Sequence, residues 1–362
     1  MNRDDHRRRQ LRRARLGAQL LAGRATHDPV AAVAHLLAIQ AQDDRGFRLA
    51  LRTRSTAPTA DVVDTALGAR QLIVTWGPRG TLHLMRPEDH WWLLPLTTPQ
   101  LAAGNRRRLT EEGVSARAAA RGVDVVTEAL ADGPTSRAQL RARLDAARVP
   151  NAGQAFVHVM VAATIAGHVA RGPVLGRELA WVNVEQWLGP RPPAVDRDDA
   201  LARLVRRYLQ GHAPAAPEDL AKWAGITLGD ARAGFAGAST ALAPWGHDPT
   251  LTTLAELGDV PAPRLPRPRL LGPFDPALHG WRDRELFTGS HQDVITSNGI
   301  FRPVVLVDGR VVATWGLASG TVGIRLLEPI GEPANGALGD EVTRVLRYLG
   351  LPDREAVVTR MW

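Results

Sequence analysis

At 362 residues the chain exceeds the usual single-domain size, so several packed modules are expected. Its formal charge of +8 and pI of about 11.0 favour a polyanionic partner, and nucleic acid is the simplest. The chain has no cysteine, which excludes thiolate zinc sites, iron–sulfur clusters, disulfides and cysteine nucleophiles together.

Residues Arg7 to Leu21 read as a basic helix, with Leu11, Leu16 and Leu20 on a partial apolar face. Arg8, Arg9, Arg12, Arg13 and Arg15 surround it, as a solvated face or as phosphate contacts. No apolar signal region follows the start and no run of about 18 apolar residues occurs, so a cytoplasmic protein without a membrane span is expected. Asp28-Pro29 is a helix-start signal, because Asp accepts from the free amides of the first turn and Pro fits the first helical position. Val30, Val33, Leu36 and Leu37 then recur at helical spacing. Two glutamines, Gln40 and Gln42, close this stretch. On a continuing helix they would point about 200° apart, whereas extended residues i and i+2 share a face. If both serve one site, the helix unwinds near Ile39.

A short helix over Thr59 to Leu67 is followed by a strand–turn–strand signal, Leu72 to Trp76, Gly77-Pro78-Arg79-Gly80 and Thr81 to Met85. Three helices and a hairpin is the winged-helix order. Helices over Val123 to Asp132, from Gly133-Pro134 to Leu140 and over Ala155 to Ile165 repeat it, with a wing over His168 to Val182. Leu201 to Leu209, Gly211 to Leu220 and Thr227 to Phe235 begin a third copy. Pro134 to Leu140 and Pro214 to Leu220 have identical spacing. Pro261 to Pro276 reads as a linker. Phe301 to Val307, Asp308-Gly309 and Arg310 to Trp315 form the clearest hairpin, with a type I′ turn. Val322 to Leu327 is its expected partner strand and Asp340 to Leu349 a final helix. The fold class is therefore α+β and helix-rich. It comprises about three tandem winged-helix modules, 1–118, 119–195 and 196–262, plus a C-terminal β-hairpin-rich module, 263–362.

Leu37-Ala38-Ile39-Gln40-Ala41-Gln42-Asp43 resembles the catalytic segment of the winged-helix DNA glycosylases similar to AlkZ, the azinomycin-resistance glycosylase. That family's signature is Gln–apolar–Gln, while a sister branch carries Gln-x-Asp. Val74 to Leu84 and Asn298-Gly299-Ile300-Phe301-Arg302-Pro303, running to Trp315, match as well. The resemblance implies hydrolysis of the N-glycosidic bond of N7-alkylguanine, including bulky natural-product adducts and interstrand crosslinks, in repair or self-resistance. It makes Gln40 and Gln42 the expected catalytic pair.

Glutamine has no useful pKa, but its carbonyl accepts from water and its amide donates. Two such groups can hold one water in line with a reacting carbon, acting by position and dipole. Asp44 would share their face on extended chain and assist; otherwise Asp43 and Asp44 cap, or pair with Arg45 or Arg48. Arg79, Thr81 and His83 alternate along the first wing and are candidates for DNA contact, although His83 equally suits a core. His291, Arg302 and Arg310 border the late hairpin, which the resemblance places near DNA. Gly316-Leu317-Ala318 stands where the family often has more arginine. The ten tryptophans, Trp362 among them, are expected in the core. Lys222 is the only lysine, so only it and the N-terminal amine could form the Schiff base of a lyase, and a monofunctional, water-using mechanism is expected. No metal-ligand cluster, P-loop or dinucleotide motif occurs, so neither metal nor cofactor is expected. The expected partner is double-stranded DNA carrying alkylated or crosslinked guanine, met by a monomer. The alternatives are a non-enzymatic winged-helix regulator and an interaction scaffold.

Overall fold

The structure, a computed structural model, describes residues 3–23, 25–257, 268–352 and 357–360. It opens with α1 (Arg3–Ala18), α2 (Pro29–Leu36), the two-residue strand β1 (Ile39–Gln40), α3 (Asp44–Arg54) and α4 (Asp61–Gly68). α2 starts where Asp28 accepts the Ala31 amide at 2.7 Å with Pro29 in the first turn, as its sequence dictates. The hairpin β2 (Ile73–Trp76) and β3 (Leu82–Met85) follows, with Ile73 opposite Met85 and Trp76 opposite Leu82. Next come α5 (Pro87–Thr97) and α6 (Pro99–Glu111), two helices missing from the sequence reading. Both carry the signal of proline in the first turn.

The order of three helices and a hairpin then occurs twice. It runs through α7 (Ala116–Ala129), α8 (Arg137–Ala146), α9 (Ala155–Ile165), β4 (Val169–Leu175) and β5 (Glu178–Asn183), with the short α10 (Val184–Leu188) behind. It recurs in α11 (Arg197–His212), α12 (Pro217–Ala224), α13 (Leu228–Gly237), β6 (Leu242–Trp245) and β7 (Asp248–Leu254). The matched spacing has a structural meaning. Leu140 and Leu220 are the fourth residues of α8 and α12, and both are buried. Just ahead of these helices, Thr135 bridges to Trp181 on β5 and Ala215 to Thr252 on β7, each antiparallel.

The last stretch holds β8 (Arg269–Leu271), α14 (Glu285–Thr288), β9 (Val304–Val307), β10 (Arg310–Ala318), β11 (Thr321–Leu326), α15 (Glu332–Tyr348) and β12 (Val357–Arg360). Asp308 and Gly309 have φ of +50° and +76°, the signature of a type I′ turn between β9 and β10. β11 pairs antiparallel with β10, as expected. The proposed linker needs correction. Residues 261–267 lie outside the described residues, but Leu270 and Leu271 are fully buried in β8. Pro and Arg dominate that segment, and the two leucines that enter the core were hidden among them.

Two compact units emerge. The first gathers Met1–Val63, Leu201–Trp223 and Thr227–Trp362; the second gathers Asp64–Ala200 and Ala224–Ile226. In the second, the strand order is β3-β2-β4-β5, and Trp76 and Trp181 stack 5.9 Å apart in a core shared with Val126, Leu140 and Met160. In the first, the order is β12-β11-β10-β9-β8, and Leu49 and Ala57 from the N-terminal stretch share a core with Leu270, Trp315 and Val345. Trp92, Trp223, Trp245 and Trp281 are also buried, while Trp362 lies outside the described residues. No helix among the described residues is long and apolar enough to cross a membrane.

Candidate active site

The Gln-Ala-Gln segment is set up by the way α2 ends. A helix terminus leaves its last carbonyls without helical partners. Here Arg207 of α11 donates to the Ala34 carbonyl at 2.7 Å, and the Ala38 amide donates to the Leu36 carbonyl at 2.8 Å. The second bond spans only two residues and closes a γ-turn on Leu37, whose φ of 67° and ψ of −53° place it in the strained form. Such a conformation costs about 1–3 kcal/mol and persists only where the surroundings impose it. Leu37 is fully buried, so its side chain cannot leave the core to relax the turn. Gly211 braces the same point: a Cβ there would lie 3.1 Å from both the His35 carbonyl oxygen and the Leu36 Cα. Gln19 holds Gly211 in turn, donating to its carbonyl at 2.7 Å.

Beyond the turn the chain is extended through Ile39 and Gln40, then bends at Gln42 and Asp43 before α3. The helix thus gives out just ahead of Ile39, as a shared site for two glutamines requires. Gln40 is 6% exposed and Gln42 is exposed, so the first residue is buried and the second meets solvent. Asp43 is the N-cap of α3 and accepts the Gly46 amide at 2.7 Å. Asp44 is already helical and its carbonyl accepts from Arg48, so the extended alternation that would align it with the glutamines stops short of it. A capping role for the aspartates, weighed from the sequence, is what Asp43 performs.

In the second unit Arg79, Thr81 and His83 do not form one strand face. Arg79 sits in a 3₁₀ turn with φ of +56°, its backbone 2.9 Å from where a Cβ on Gly225 would lie. Thr81 donates its hydroxyl to the Pro78 carbonyl at 3.1 Å inside the same turn. His83 is buried, its Nδ1 lies 3.0 Å from the Thr81 carbonyl, and burial with Arg79 nearby lowers its pKa to about 3. This corrects the expectation for His83: its neutral ring belongs to the core, and strand alternation alone did not say which face was inward.

In the first unit His291 and Arg310 meet on one carboxylate. Glu328 accepts from Arg310 Nη2 at 3.1 Å and lies 3.2 Å from His291 Nε2. Arg302 is exposed, and its backbone amide is taken by the Val294 carbonyl. A cavity of about 930 Å³ opens beside His291, walled by Arg8, Arg282 and Arg284 with Thr288 and Ser290. The sequence reading missed Arg282, Arg284 and Glu328, which sit in loops with no periodic pattern. Lys222 is exposed on α12. Among the described residues no group of three or more His, Asp or Glu side chains gathers as a metal site.

Residues 33–348 match the model of the AlkZ-like DNA glycosylases. This chain belongs to that family. The AlkZ-like chain is 26% identical over 340 residues to an interstrand DNA cross-link repair glycosylase of Streptomyces sahachiroi, covering 83% of this chain and 85% of the relative. The solved structure of the Streptomyces sahachiroi DNA glycosylase AlkZ matches with a TM-score of 0.80 at 23% identity, over 98% of this chain and 99% of that one. Family membership makes the protein a DNA glycosylase and sets the regulator and scaffold readings aside. The matched residues include the Gln-Ala-Gln segment, whereas α1 lies outside them.

Proposed function

We propose that this AlkZ-like glycosylase releases N7-alkylguanine from DNA, bulky natural-product adducts and interstrand crosslinks included, in repair or self-resistance to a genotoxin. Gln40 and Gln42 position the attacking water. The observation that carries this reading is the strained turn on Leu37, which stops α2 and delivers both glutamines on non-helical chain. The cross-link repair glycosylase among its relatives supports the same substrate class. The three-helix-and-hairpin units are read as winged-helix modules that present the segment to duplex DNA.

Alkylation at N7 gives the guanine a positive charge. As the C1′–N9 bond breaks, its electron pair returns to the base and quenches that charge, so the leaving group departs without a strong acid. The water oxygen bonds to C1′, its surplus proton passes to solvent, and an abasic site remains. Neutral amides suffice for this step because they need only orient the water and stabilise the developing positive charge on the sugar by dipole. No Schiff base forms in this scheme, so the enzyme is monofunctional.

The test is single-turnover excision from a duplex carrying N7-methylguanine, read as strand breaks after alkali. Gln40→Ala and Gln42→Ala are each expected to slow release by about 10²–10³-fold, the usual loss for a preorganised dipolar group. Asp44→Asn is expected to act within severalfold of wild type, and Lys222→Ala to match it with no borohydride-trapped adduct in either. Wild-type rates in both glutamine variants would sink the assignment.

A further inference from the structure

The cavity in the first unit has walls that the proposed chemistry does not use. Arg8 comes from α1, Arg282 and Arg284 from the loop before α14, and the hydroxyls of Thr288 and Ser290 from its end. Just beside it the cations crowd. Arg12 is depressed below its usual pKa first by burial and then by Arg310, Arg9 and Arg8 around it. Carboxylates stand among them: Asp283 and Glu285 line the cavity, Asp308 acts on Arg12, and Glu328 is shared between Arg310 and His291. Arginines nonetheless outnumber them, with Arg8, Arg282 and Arg284 on the walls and Arg9, Arg12 and Arg310 beside them.

These walls are held by the fold. Arg12 donates to the Leu286 carbonyl at 3.3 Å, tying α1 to α14. Asp219 grips both sides at once, pairing with Arg15 of α1 at 3.2 Å and accepting the Arg282 amide at 2.9 Å. Arg284 lies over the ring of Phe301, 5.1 Å from its centre. A crowd of guanidinium groups repels itself, and a run of phosphates relieves that repulsion.

We propose that this basin, whose walls do not include Gln40 or Gln42, is a phosphodiester-binding station for duplex DNA, with Arg8, Arg282 and Arg310 as its phosphate contacts. It rests on the reading of the chain as a DNA-processing enzyme and adds a surface that engages undamaged backbone. Glu328 occupies two of its donors when DNA is absent, standing where a phosphate oxygen later competes.

The test measures the affinity of the full chain for an unmodified duplex by fluorescence anisotropy across a salt series. Each lost phosphate contact lowers the slope of log affinity against log salt by about 0.9. The double variant Arg8→Gln/Arg282→Gln is expected to lower it by about 2. The pair Arg117→Gln/Arg121→Gln, which removes the same charge from exposed positions on α7, is expected to lower it far less. Glu328→Gln frees Arg310 and is expected to tighten binding. An unchanged slope in the Arg8/Arg282 pair, an equal loss in the α7 pair, or weaker binding in Glu328→Gln would each overturn the proposal. Gln40→Ala tells this failure from a failure of the catalytic assignment, because it leaves the slope in place while base release is scored separately.

Discussion

His83 and His90 sit in the second unit at depths where an imidazolium is hard to form. Burial lowers His83 to about 3, with Arg79 adding to the shift, and lowers His90 to about 4, with Arg191 adding. Both folded values lie below the ordinary 6.5, so as pH falls under 6.5 the unfolded chain takes up protons that the folded chain refuses. Stability is therefore complete above about pH 6.5 and is lost progressively toward pH 4 for both and toward pH 3 for His83. Each contributes up to about 1.4 kcal/mol per pH unit in that window. Urea midpoints at pH 7 and pH 5 should show the fall. Neither ring nitrogen of His90 has a hydrogen-bond partner among the described residues, so His90→Leu should remove about half of it without losing a bond. An undiminished fall in His90→Leu would show that other groups govern the acid limb. Residue type told little here: a histidine near an arginine suits a phosphate contact as well as a core. At Gln40 and Gln42 the sequence conveyed a condition, that the helix ends near Ile39 if both serve one site, and α2 does end at Leu36.

Elements whose ends carry their own chemistry were legible from the sequence. The start of α2 follows from Asp28 and Pro29 and the β9–β10 turn from Asp308-Gly309; α9, which has no side-chain cap, was legible instead from its apolar run. The γ-turn was not legible, since Leu37 has no local preference for positive φ and is held there by packing from elsewhere. Gly211, 175 positions from Leu36, is one of the residues that hold it. Its missing side chain lets α11 approach the last turn of α2. Gly211→Ala would place a methyl 3.1 Å from the His35 carbonyl oxygen and the Leu36 Cα, so the end of α2 must shift by a few tenths of an ångström. Near-attack geometry is steep enough that such a shift should slow single-turnover base release by up to about tenfold. Duplex affinity should stay within about twofold, because no phosphate contact moves. A variant that lost affinity and kept its rate would place the effect in DNA binding instead.

At the scale of the molecule, the first unit is assembled from three separate lengths of chain, and its deepest tie is ionic. Arg54 at the end of α3 pairs with Asp275 through both nitrogens, at 2.6 and 2.9 Å, and neither side chain has any exposure. Gln19 from the end of α1 accepts from the same guanidinium at 3.3 Å. Close by, Arg52 pairs with the buried Glu341 of α15 at 2.6 Å. No periodicity links positions more than two hundred residues apart, which is why the sequence presented the C-terminal stretch as a module of its own. A buried ion pair stabilises little over a well-packed apolar pair, yet removing one partner strands the other charge at a cost of about 3–5 kcal/mol. Arg54→Met should therefore lower stability by that amount, and adding Asp275→Leu should recover much of the loss. The recovery matters more than the loss, because any core truncation destabilises, whereas only a stranded charge is rescued by deleting its partner. If the double variant is no more stable than Arg54→Met, what Asp275 accepts from its own loop, the Ala277 amide at 3.0 Å, outweighs the pair. The α3–β8 junction would then depend on that loop's shape and not on its charge.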